Sequence, residues 1–149
     1  MRVLSTEIKD ALIPLAKEAE KRREEIEAAR CLPDDLMKAV RETGVIRLWT
    51  AKSYGGNQSA IFALMEAIES TSYYNGSLGW VICVTGTASL GSGYLSSQSA
   101  KEIFGDTHSQ TGGWAAPAGR AKKVEGGIIV NGKWSWGSGI SHCSHIVGG

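Results

Sequence analysis

The sequence predicts an α+β fold in which an N-terminal helical bundle precedes the first antiparallel strands of a β-barrel-like domain. Three observations carry this expectation. Residues 1–50 hold twenty of the 31 Lys, Arg, Asp and Glu side chains, whereas residues 76–149 hold sixteen of the 19 glycines. The hydrophobic period shortens at about Gly105, from helical spacing to short alternating runs. Helices followed by strands indicate an α+β arrangement or two domains, here divided as a helical domain over 1–108 and an incomplete β domain over 109–149.

In the first segment, "STEIKDALIPLAKEAEKRREEIEAAR", residues Ile8, Leu12, Leu15, Ala16, Ala19 and Ile26 recur at helical spacing with charges opposite. This predicts one long amphipathic helix. Pro14 falls inside it and would kink it or mark its true start, because proline lacks an N–H and crowds the preceding turn. In "PDDLMKAVRETG", Pro33 suits the first turn of a second helix, acidic residues favour its N-terminus, and Gly44 can close it in a left-handed conformation.

"VIRLWTAKSYGG" reads as a loop with apolar side chains, ended by Gly55-Gly56. A third helix is expected over Ser59 to Tyr74, burying Ile61, Leu64, Met65, Ile68 and Tyr73. After Asn75-Gly76, "SLGWVICVTGTASLGSGYL" is apolar around most of a helical circumference, which predicts a central helix that neighbours approach closely. Ser97 or Ser99 caps a short helix ending at Phe104-Gly105, with Glu102 available for a capping box. "SQTGGWAAP", "GRAKKV", "GIIVNGKWSW" and "HIVGG" are the expected strands, and Glu125-Gly126-Gly127 is a hairpin turn.

At 149 residues the chain is long enough to bury roughly 68–70% of its unfolded surface. A net charge of +1 with 21% charged residues announces neither a nucleic-acid footprint nor an acidic-partner surface. Cys31, Cys83 and Cys143 form an odd set without C-x-x-C spacing, which fits reduced thiols in a cytoplasmic protein. The start has no apolar core of signal-peptide length, and the most apolar run is too short to span a bilayer.

Several motifs fail on mechanism. The run His142-Cys143-Ser144-His145 contains metal-ligand types, but residues 142, 143 and 145 of a strand cannot all face one side, and His108 is isolated, so no metal is expected. Gly91-Ser92-Gly93 lacks the last glycine and the preceding strand of a dinucleotide cradle. Neither a P-loop nor a G-x-S-x-G elbow occurs. The indoles of Trp114, Trp134 and Trp136 can be ordinary core. Even so, the run Trp134 to Gly139 combines aromatic wall, free amides and the Ser138 hydroxyl, which suits a planar heteroaromatic ring.

"PAGRAKKVEGGIIVNGKWSWGSGISHC" resembles the acyl-CoA dehydrogenase superfamily, most closely its two-component flavin-dependent monooxygenase branch, the aromatic hydroxylases. Trp136 overlays the aromatic position and Ser138 the threonine position of the Asn-Gly-x-Lys-x-Trp-Ile-Thr-type segment. "RETGVIRLWTAKSYGG" and "SLGWVICV" are similar to the helical N-terminal domain of that branch. The resemblance extends over nearly the whole chain and is specific over residues 117–142.

What it implies is a flavoprotein. Gly113, Trp114 and Ala115 match residues lining the flavin, Trp136 and Ser138 match those beside its central ring, and Ser138 is the expected hydroxyl partner of flavin N5. Reduced FMN or FAD would come from a partner reductase, and one oxygen atom would pass to an aromatic or polycyclic small-molecule substrate. Apolar "GWVICV" and the tryptophans would keep the site dry. Phenol-hydroxylating members commonly carry a histidine in the helix after their Gly-Trp-Val segment, and the matching place here, near Ala88, has none, which argues against phenol. Members are much longer and form homo-oligomers, typically tetramers, so the chain is expected to be an N-terminal part without the C-terminal helical bundle. Dehydrogenation of an acyl thioester, or a non-catalytic helical interaction module, are the other readings.

Overall fold

The computed structural model describes residues 4–114 and 116–149. Six α-helices precede or surround four short strands: α1 Thr6–Lys21, α2 Arg23–Ala29, α3 Asp34–Glu42, α4 Ile61–Ser72, α5 Gly76–Ala88, α6 Ser97–Phe104, β1 Thr111–Trp114, β2 Arg120–Val124, β3 Gly127–Asn131 and β4 His145–Gly148. The α+β class expected from the change of period is the class observed.

The long first helix is divided. α1 starts at Ser5, whose hydroxyl accepts from the Ile8 amide, and runs through Pro14 without ending. The interruption lies at Arg22, with φ −92° and ψ 17°. There the guanidinium binds Glu25 (2.8 Å) and Asp35 (2.7 Å), tying the α1–α2 junction to α3. Pro33 is the N-cap of α3 and does not occupy its first turn, while Gly44 takes the left-handed conformation at φ 76°. The capping serine of α6 is Ser96, which accepts from the Ser99 amide, so the expected cap at Ser97 or Ser99 moves by one residue or more. Two 3-10 turns, Val45–Arg47 and Lys52–Tyr54, replace an irregular loop.

Leu12, Ala16, Met37, Val40, Leu64, Ala67, Leu78 and Ile82 are fully buried and join α1, α3, α4 and α5 in one core. Asn75 fixes how α5 enters it. Its carbonyl oxygen caps the Leu78 amide at 2.9 Å and its amide donates to the Ala19 carbonyl of α1 at 3.2 Å. The face expected to be buried on α4 is corrected. Leu64 is buried, but Ile61, Met65 and Tyr73 are exposed, and Ala63, Ala67 and Thr71 make the inward face. The reason is close packing: a β-carbon on Gly79 of α5 would lie 2.9 Å from the Ser72 α-carbon, and one on Gly86 would lie 2.7 Å from a Leu64 methyl.

A buried cation holds the following segment. Arg47 is 5% exposed and donates to the carbonyls of Phe104 (2.8 Å), Asp106 (3.0 Å) and Tyr54, so α6 is fastened to the loop before α4. β2 and β3 pair antiparallel through the Glu125-Gly126 turn, as the glycines predict. β1 and β4, by contrast, pair parallel, Thr111 opposite His145. The roughly thirty residues between them are ample for the crossover a parallel pair requires. The strand expected to continue through Trp136 stops at Asn131.

Candidate functional site

Helix α5 carries two neighbouring clefts. The first, about 350 Å³, is formed by the end of α2, Cys31, Trp80 and Val81 of α5, and Ser138 to His142. The second, about 490 Å³, is lined by Val84, Thr87 and Ala88 of α5, together with Gly112, Gly113 and Trp114 of β1 and Val147 of β4. The seam between them is tight. A β-carbon on Gly112 would meet the Cys143 sulfur at 2.9 Å and lie 4.0 Å from the Ser138 carbonyl oxygen. One on Gly139 would come within 3.3 Å of Val81 and 3.5 Å of Thr85. Glycine at these positions lets backbone lie directly against α5.

The structure places Ser138 on the first cleft and Gly113 and Trp114 on the second, with α5 behind both. Gly113 adopts φ 133°, and a β-carbon there would sit 2.1 Å from the Val147 carbonyl oxygen, so only glycine permits this strand pairing. Trp114 is half-buried on the second cleft. Ser138 lines the first, its amide donating to the Trp136 carbonyl at 2.8 Å. Its hydroxyl has no hydrogen-bond partner among the described residues. Ala115 lies outside the described residues.

Trp136 is placed differently. It is 84% exposed, at a left-handed φ of 65°, and lines neither cleft. The ring that turns inward is Trp134, whose indole N–H donates to the Gly149 carbonyl at 2.9 Å and whose six-membered ring packs over Gly119, Gly132 and Gly148. Strand alternation would have put the two indoles on one side. Leaving the ladder at Asn131 removes that rule.

One grouping escapes sequence reading. His142 turns away from Cys143 and His145 and meets Cys31, 111 residues earlier, at 3.3 Å from Nε2 to Sγ. Its other nitrogen lies 3.5 Å from Asp34. Burial lowers the imidazole pKa below its usual 6.5, against the opposing pull of Asp34. Cys143 is half-buried, and burial raises its thiol pKa. No spacing signal links residues 31 and 142: Cys31 lies between α2 and α3, and His142 ends a 3-10 turn before β4. Among the described residues no group of three or more His, Cys, Asp or Glu side chains could hold a metal ion.

Residues 8–102 match the model of the acyl-CoA dehydrogenase N-terminal domain. The chain belongs to that family. It is 37% identical over 139 residues to the flavin-dependent monooxygenase oxygenase subunit HsaA of Rhodococcus jostii, which spans 93% of this chain and 36% of that protein. It is 30% identical to the oxygenase component of p-hydroxyphenylacetate 3-hydroxylase from Acinetobacter baumannii, over 95% of this chain and 33% of the relative. The chain thus spans about a third of the length of the curated relatives it matches. Among solved structures, 3-HSA hydroxylase from Rhodococcus superposes with a TM-score of 0.87 at 35% identity, over 94% of this family member and 36% of that chain. XiaF from Streptomyces, in complex with FADH2 and glycerol, gives 0.80 at 29%, over 92% and 36%. No helix of the described residues is long and apolar enough to cross a membrane.

Proposed function

We propose that the protein is the oxygenase component of a two-component flavin-dependent monooxygenase, acting on an aromatic small molecule with reduced flavin delivered by a separate reductase. The observation that carries this reading is the Ser138 hydroxyl. It lies on the first cleft, against the same helix α5 that backs the Gly112-Gly113 strand on the second, and has no partner among the described residues. The relatives named above, and the FADH2 bound by XiaF, point the same way.

The residues fit such a ring. Gly113 and Trp114 would hold it from the strand side and Ser138 would offer a hydrogen bond to a ring nitrogen, with Ala115 and Trp136 retained as expected contacts. The flavin, when bound, supplies oxygen activation. The chain's own contribution is positioning and dryness. Val84, Ala88, Trp114 and Val147 make the second cleft predominantly apolar, which keeps water from the reacting atoms. Ala88 is on this wall with a methyl group where a proton-accepting imidazole would assist a phenol. We infer a substrate whose ring needs no base at that position, and Thr87 as the polar group beside it.

The test uses the protein as its gene encodes it. Anaerobic titration with FMNH2 and FADH2 measures binding, and admission of oxygen with a panel of phenols, indoles and fused-ring aromatics measures product by mass spectrometry. A product heavier by one oxygen atom, dependent on reduced flavin, is expected. An acyl thioester oxidised in place of any aromatic would assign the dehydrogenase reaction instead. Ser138→Ala is expected to move oxygen from product into peroxide by several-fold, with substrate binding unchanged.

A further inference from the structure

Cys31, Ser141 and His142 converge on the wall of the first cleft, and Asp34 stands behind the imidazole. The Cys31 sulfur is 3.1 Å from the Ser141 hydroxyl and 3.3 Å from His142 Nε2. The His142 side chain is 3% exposed, and its Nδ1 lies 3.5 Å from Asp34, whose carboxylate stands fully in solvent. The Leu32 carbonyl accepts from the Cys31 thiol at 3.4 Å. In the tautomer with Nδ1 protonated toward Asp34, the Nε2 lone pair faces the thiol. This is the relation of nucleophile, base and orienting group that activates a cysteine.

We propose that Cys31 is a nucleophilic thiol deprotonated by His142, and that the cleft beside it is a site of covalent modification by soft electrophiles, hydroperoxides foremost. His142 accepts the thiol proton, and the Ser141 hydroxyl donates to the resulting thiolate. Sulfur attacks one peroxide oxygen: the S–O bond forms as the O–O bond breaks. Sulfur is oxidised by two electrons to the sulfenic acid, the peroxide is reduced, and the leaving hydroxide or alkoxide takes the proton back from His142. The product group would enter the cleft that Ser138 lines.

The surroundings favour this reaction at one thiol of three. Burial lowers the His142 pKa and so leaves the imidazole unprotonated with Nε2 free to accept; Asp34 favours the imidazolium that would form, and Arg41, also on α3, opposes it. Glu27 and Arg30 line the same cleft from α2 and its end, and their opposite charges offset. The Cys143 thiol donates to the Gly139 carbonyl at 3.4 Å and is held protonated by burial. No hydrogen-bond partner of the Cys83 thiol is present among the described residues. No flavin enters the step, so it stands or falls independently of the proposed function.

Folded protein is treated at neutral pH with limiting iodoacetamide, or with hydrogen peroxide followed by a sulfenic-acid trap, and the three cysteines are quantified by peptide mass spectrometry. Cys31 is expected to react roughly tenfold faster than Cys83 and Cys143 and to give the trapped sulfenic acid. His142→Gln should slow Cys31 several-fold and leave Cys83 unchanged. If His142→Gln unfolds the chain, the ranking of thiols in the unaltered protein decides, together with Asp34→Asn at an exposed position, expected to slow Cys31 selectively. Cys31 reacting no faster than Cys83 would overturn the proposal, as would an unchanged Cys31 rate in a folded His142→Gln.

Discussion

At His142 desolvation and an exposed carboxylate pull one imidazole in opposite directions, and desolvation is the larger effect. The folded ring therefore takes up its proton at lower pH than the unfolded chain does. As pH falls below about 6.5 the unfolded state binds that proton first, so stability present above this value is lost on the way down to the folded pKa. Denaturant midpoints at pH 7.5 and 5.5 should differ less in His142→Gln than in the unaltered chain, and equal differences would show that His142 does not titrate with folding. Trp136 poses another residue-scale question, because a left-handed φ costs a non-glycine residue about 1–2 kcal/mol and its exposed ring recovers little by packing. Trp136→Gly should leave the unfolding midpoint level or higher while weakening reduced-flavin binding; unchanged binding would remove Trp136 from the site. The close-packed glycines were legible from sequence, because close backbone approach needs residue types that can be read directly. The Cys31–His142 pair was not, since two residues 111 apart meet only through tertiary packing.

Between elements, the contact of α4 with α5 shows why helical period alone mislocates a buried face. α4 carries apolar residues on two sides, and counting favours the larger ones, Ile61, Met65 and Tyr73. Gly79 and Gly86, seven residues apart on α5, let the helices approach closely against Ser72 and Leu64, and the face of α4 with Ala63, Leu64, Ala67 and Thr71 turns inward while Ile61, Met65 and Tyr73 turn outward. Sequence showed that α5 was central and that its small residues admit a neighbour; it did not show which neighbour or which side. Gly86→Ala should cost about 1–3 kcal/mol by forcing a methyl against Leu64, and Leu64→Ala about 2–5 kcal/mol by leaving a cavity. The two substitutions touch the same space, so the double variant should cost less than their sum. Strict additivity in equilibrium denaturation would mean that the residues do not share that contact.

Across the whole molecule, burial is uneven: the helical core is dry, whereas every residue of β2 and β3 is exposed. Ile128, Ile129 and Val130 are consecutive, so both faces of β3 are apolar, and each is more than half exposed. β2 sets Lys123 opposite Ile128 and Lys122 opposite Ile129, and charges of this kind restrain edge-to-edge pairing. Ile61, Phe62 and Met65 of α4 are also more than half exposed, and exposed apolar side chains in groups mark surfaces that associate. The chain as described should therefore associate as concentration rises, with salt strengthening association by screening the lysines. Light scattering should report a mass that grows with concentration and that falls back toward one chain when Ile128→Lys and Val130→Lys are combined on the same face. Because these side chains are more than half exposed, the thermal midpoint of the helical part should not move. A constant mass at every concentration would mean that the hairpin's charges suffice to keep its apolar faces apart.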